Sequence, residues 1–360
     1  MRLSLRSYRP VSILLLGALL TGCTADKATS LVERYVSRTG NAIEVDIDLS
    51  LSGPATLYPA LPERRERLAS VPEIREGLLD LFDMRHCDLM RLVSERNTSL
   101  SRVALPSQRL KYELQIMPAL RECESGLADI AELEDLRTKL QGFLEVKQQG
   151  FAPLVFNAIY TSSEIEQQFS FGAAPLEPAE LSYLGPIVEP LERFKLIAEL
   201  TNRDDWEPPS FALELEADYE ALYRSDFGAR WLSSMAMLTQ VLEQTSQALE
   251  SRMTGRPICF NGKQNNQSDI LWTVFMKFYV GELQPYIAQV EREGRRWQQL
   301  NQDILSALAG VSQTALLTPY FESGTESPVW GRYLSARERH TRAWQQLLEQ
   351  CGLRPGLPAS

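Results

Sequence analysis

Histidine is almost missing from this chain: two in 360 residues, His86 and His340. Hydrolysis by a serine or cysteine nucleophile needs a base beside it, and histidine is the usual one. Neither histidine stands near a G-x-S-x-G turn, and the chain has no such turn. His86 precedes Cys87, an arrangement that would suit an activated thiolate, but a cysteine taken up in a disulfide offers no nucleophile. Phosphate loops are missing too, with neither a P-loop nor G-x-G-x-x-G. The stretch "DIDLS" (46–50) lacks the glycine and the bidentate glutamate spacing of a calcium loop. No two of the five cysteines lie at C-x-x-C spacing, so no metal and no cofactor is expected. No apolar run approaches the roughly twenty residues of a membrane-crossing helix. Basic residues are the minority, 37 Lys and Arg against 47 Asp and Glu. A field of that sign does not seek nucleic acid.

The amino terminus carries the strongest positive signal. Arg2, Arg6 and Arg9 precede a short apolar run, Val11 to Leu20, and small residues lead to Cys23. This is the three-part layout of an export signal that is cleaved rather than kept as a span. Leu20-Thr21-Gly22-Cys23 resembles the bacterial lipobox, in which the cysteine is acylated and the chain is cut just before it. The resemblance implies lipidation at Cys23 and removal of residues 1–22. Thr24 lacks the aspartate that retains such proteins in the inner membrane, which implies the periplasmic face of the outer membrane. Several acyl chains on one residue suffice for stable anchoring, at about 0.8 kcal/mol per buried CH₂. Loss of the three signal arginines would take the formal charge from −10 to −13.

Four cysteines remain: Cys87, Cys123, Cys259 and Cys351. An even number in an exported chain predicts two disulfides. Residues 23–29 read as a polar tether and about 30–37 as a helix. "IEVDIDLSL" (43–51) alternates like a half-buried strand, or is extended chain lying across helices. From Val71 the apolar spacing is helical, with Pro106 placed for a first helical turn and Pro118, Pro153 and Pro285 for bends. Trp231, Met235, Leu238, Leu242, Thr245 and Leu249 step alternately by four and three, the seam of a helix from about Phe211 to Met253. Further helices are expected at about 269–308 and 329–350.

The fold predicted is all-α: long antiparallel helices in one elongated or two adjoining bundles, a region 30–175 and a bundle 176–360, with the boundary in the proline-rich stretch 171–190. If the helix ending near Met253 runs up, the next runs down and the last runs up. Cys259 and Cys351 then reach the same end, and the pairing 87–123 with 259–351 is favoured.

Three stretches, "HCDLMRLVSERNTSLSRVALPSQRLKYEL" (86–114), "FGARWLSSM" (227–235) and "RPICFNGKQNNQSDILWTVFMKFYVGELQPY" (256–286), together with the lipobox, resemble an uncharacterised family of Gram-negative lipoproteins, domain of unknown function three thousand and eighty. The resemblance implies a helical, envelope-attached protein and carries over no catalytic residue. Glu95, Arg96 and Asn97 open a loop suited to capping a helix or to contacting a partner. The adjacent acids Glu122 and Glu124, Asp204 and Asp205, and Glu214 and Glu216 are the only support for a cell-wall hydrolase; a solvated helix face accounts for them. Trp272, Phe275, Phe278 and Tyr279 suit core packing or an apolar ligand groove. The reading is a non-enzymatic lipoprotein anchored in the membrane through its lipid and binding an envelope protein, with a periplasmic carrier or sensor of a small apolar ligand as the alternative.

Overall fold

The structure, a computed structural model, describes residues 26–72, 87, 89–92, 105–178 and 182–353. Cys23, His86 and the loop residues Glu95, Arg96 and Asn97 lie outside the described residues, as does most of the helix expected from Val71. Helix α1 spans Lys27–Ile43, so it begins inside the stretch expected to be a tether. Asp26 explains the start: its carboxylate accepts the backbone N–H of Thr29 at 2.7 Å, satisfying a donor the first turn would leave unpaired. Leu31, Val32, Tyr35, Val36 and Ile43 make its buried stripe. Glu44 closes it in the left-handed conformation, φ 58°.

The chain then runs on from residue 45 as a segment that pairs with no strand among the described residues. Helices follow: α2 Pro106–Gly126 and α3 Glu134–Tyr160, an antiparallel pair tied by Lys147 to Glu113 and by Arg137 to Glu124. Pro106 does occupy the first turn of α2, where its missing N–H costs nothing. Next come α4 Gly185–Leu200 and α5 Leu215–Arg224. The helix expected from Phe211 to Met253 is two: α5, then α6 Phe227–Thr254. The break has a tertiary cause. Gln168 donates to the carbonyls of Leu222 and Ser225 and accepts from the N–H of Gly228, taking over the backbone groups that a continuous helix would have paired internally. A Cβ on Gly228 would lie 2.5 Å from the carbonyl oxygen of Gln168, so only glycine permits that approach.

The bend expected at Pro285 takes an unexpected form. Helix α7, residues 266–307, is α-helical over Asn266–Val274, π-helical over Phe275–Leu283 and α-helical again over Gln284–Ala307. In an α-helix the Pro285 ring would meet the carbonyl of Gly281. The wider π turn moves that carbonyl one residue out of register, and Gln284 N–H reaches back to Tyr279 O. Short α8 Thr314–Phe321 leads to the final helix α9 Trp330–Glu349.

Helix directions follow from side-chain pairs. Arg332 grips Glu243 and Arg339 grips Glu250, each with two hydrogen bonds and each across 89 residues of sequence. A constant offset means that α6 and α9 run parallel. Arg34 binds Glu282 and Arg38 lies over the ring of Phe278, so α1 runs antiparallel to α7. The long helix α7 therefore descends among ascending α1, α6 and α9. Cys259 and Cys351, just past the upper ends of α6 and α9, are paired with Cα atoms 5.1 Å apart; Cys87 pairs with Cys123 at 5.4 Å. All six seam residues of α6 are buried. At the centre Trp231 packs against Trp297 and Trp330, with ring centroids 5.6 and 5.8 Å away, and its N–H donates to Val290 O. Gly294 lies under that indole. The buried residues form one cluster from Ala28 to Cys351, across the stretch 171–190. Among the described residues, no helix is long and apolar enough to cross a membrane.

Candidate functional site

Two polar arrangements stand out against this apolar interior. The first is a strap, residues 44–72, drawn over the helices and held by side chains. Gln244 accepts the N–H of Ser50 at 3.0 Å and donates to its carbonyl at 2.8 Å. Gln240 does the same for Ser52, at 2.8 and 2.9 Å. Four residues along a helix rise about 6 Å and two residues of extended chain about 6.6 Å, so glutamines one turn apart match alternate residues of a strand. The two side-chain amides stand in for a partner strand. This is how the alternating pattern at 43–51 is realised: Val45, Ile47 and Leu49 pack on the core while Glu44, Asp46 and Asp48 face solvent. Farther along, Tyr320 O–H donates to Ala60 O, and Asn157 clamps both backbone groups of Ala69 at 2.8 Å. Buried Arg67 donates to Pro62 O, Tyr160 O and Glu166.

The second is a buried chain of hydrogen bonds beside the π turn. Trp344 N–H donates to the Tyr35 hydroxyl at 2.9 Å, and that hydroxyl lies 2.6 Å from His340 Nε2. The Tyr279 ring, from the π segment, packs 4.8 Å from the imidazole. Burial pushes the His340 pKa down to about 3 and the Tyr35 phenol far above its usual value. Both are therefore neutral. In either tautomer His340 Nδ1 is buried without a hydrogen-bond partner. A short π segment of this sort recurs at functional sites. Here it brings Tyr279 against the imidazole, which is fully buried.

The remaining expected candidates do not converge. Glu122, Asp204, Asp205, Glu214 and Glu216 face solvent, and Glu124 is engaged by Arg137 and Gln141. Trp272, Phe275, Phe278 and Tyr279 pack on the core and form no groove of their own. Among the described residues no three His, Cys, Asp or Glu side chains approach as metal ligands. Among the described residues, two open surface grooves have volumes of about 440 and 390 Å³, the first between α4 and the segment before α5, the second between α1 and the strap. Carboxylates line both, which does not suit an apolar ligand. Sequence reasoning missed Gln240 and Gln244, whose signal is two amides one turn apart on α6. It also missed the Tyr35–His340 bond, which joins residues 305 apart.

No curated protein and no solved structure matches the chain. The sequence model of the family described as "Protein of unknown function (DUF3080)" does match, over residues 32–355, and the chain belongs to that family.

Proposed function

We propose that this is a non-enzymatic, lipid-anchored protein of the Gram-negative cell envelope. It is held through Cys23 at the periplasmic face of the outer membrane, where it binds another envelope protein. The observation that carries the reading is the sequence Leu20-Thr21-Gly22-Cys23 behind a charged and apolar leader, directly ahead of Asp26, the cap of α1. Only Thr24 and Ala25 separate the anchor from that cap, so acyl chains on Cys23 would hold the bundle against the bilayer. The two cysteine pairs suit an oxidising compartment. Among the described residues, His340 is engaged by Tyr35, Arg67 by backbone carbonyls and Glu166, and Gln240 and Gln244 by the strap.

The experiment is Cys23→Ser in cells, followed by membrane fractionation and intact-mass measurement. The unaltered chain is expected in the outer-membrane fraction with residues 1–22 removed and acyl mass added. The variant is expected to lose the acyl mass and that fractionation. Identical processing and partition of the two would refute the anchor.

A further inference from the structure

We propose that the outer edge of the strap, residues 46–51, is a docking site for an extended polypeptide segment bearing lysine or arginine at alternate positions. In extended chain the N–H and C=O of successive residues point to opposite sides. Ser50 and Ser52 spend theirs on Gln244 and Gln240. Those of Ile47, Leu49 and Leu51 therefore point the other way, and no hydrogen bond within the described residues takes them. A row of unpaired backbone groups held straight is a template for a further strand. The glutamine clasp at Ser50 and Ser52 and the packing of Val45, Ile47 and Leu49 on the core hold the edge in place beforehand, so the incoming segment bears most of the loss of conformational freedom.

Room and charge both point to the occupant. The groove of about 390 Å³ lies along this edge, with the polar row Glu33, Ser37 and Asn41 of α1 as its opposite bank. Every charged residue lining it is acidic, namely Glu33, Glu44 and Asp46, and Asp48 continues the row on the exposed face. Opposite charges facing each other across strands stabilise pairing and like charges oppose it. A second copy of this chain would set Asp46 and Asp48 against carboxylates, so the acidic row rejects self-pairing and selects a basic strand. The proposal deepens the binding-protein reading and rests on it. It does not rest on the anchor: binding in solution tests the edge alone, and fractionation of Cys23→Ser tests the anchor alone.

The test is fluorescence anisotropy of labelled octapeptides with the purified full chain. The probes are alternating Lys-Val, alternating Glu-Val, and a Lys-Val peptide with every backbone amide N-methylated. The Lys-Val peptide is expected to bind and to weaken with added salt; the other two are not. Asp46→Lys with Asp48→Lys is expected to weaken it about tenfold. Leu49→Pro, which deletes an outward N–H and leaves both glutamine pairs in place, should weaken it similarly. The N-methylated peptide keeps the test decisive if the proline variant fails to fold. Absence of Lys-Val binding at millimolar concentration would overturn the proposal. So would equal binding of the Glu-Val or N-methylated peptide, or affinity unchanged by the charge reversal.

Discussion

His340 makes the stability of this protein fall with acid in a window where few other groups titrate. Folded, its pKa sits at about 3 because burial penalises the imidazolium; unfolded it returns to 6.5. Between those values the unfolded chain binds a proton that the folded chain refuses, so stability is full above 6.5 and declines as pH falls toward 3. One proton corresponds to about 1.4 kcal/mol per pH unit. Integrated from pH 7 to pH 5, the loss from this residue is about 2 kcal/mol. Glu250 and Asp303, whose folded pKa values lie below their ordinary 4.5 and 3.8, add their losses only at lower pH. The assay is urea unfolding followed by tryptophan fluorescence at both pH values, on the unaltered protein and on His340→Gln. Glutamine keeps a hydrogen-bonding group toward Tyr35 but carries no proton to titrate. His86 is common to both proteins and cancels in the difference. The unaltered protein should lose about 2 kcal/mol more than His340→Gln. Equal losses would show that the imidazole is not buried as a neutral ring against Tyr35 and Tyr279.

Two further outcomes follow from the packing. Replacing Cys259 and Cys351 together by alanine opens a loop spanning 92 residues and should lower stability by about 4.6 kcal/mol in the chain-entropy picture; a loss below about 1 kcal/mol in calorimetry would show that the bond does not restrict the unfolded chain as that picture requires. Gly294→Ala places a methyl carbon 2.1 Å from Trp231 Nε1, and overpacking of about 1–3 kcal/mol outweighs the roughly 1 kcal/mol gained in helix propensity, so thermal denaturation should show net destabilisation, and a raised midpoint would contradict the Trp231 placement.

How much of this was readable in the chain depends on what each signal measures. Apolar periodicity reports which face of a segment is buried, and there it serves well. The step from Trp231 to Leu249 marks the buried face of α6, and the up-down-up order brings the ends of α6 and α9 together at Cys259 and Cys351. Local sterics are equally legible: Pro285 forbids an ordinary α turn before it, and the helix answers with a π segment instead of a simple kink. Periodicity does not report what the buried face meets. The apolar spacing runs without interruption from Leu215 past Phe227, yet the helix breaks at Ser225 and Asp226 because Gln168, some 60 residues earlier, takes the backbone hydrogen bonds. The same blindness governs the candidate site. Alternation at 43–51 signals a strand, and a strand implies a partner of its own kind, but Gln240 and Gln244 supply the pairing groups from a helix. An amide side chain carries the same donor and acceptor as a peptide bond, so a helix can impersonate half a sheet on one side of an extended segment. What it cannot do is satisfy the other side, and that asymmetry leaves the edge from Ile47 to Leu51 with backbone groups still to be paired.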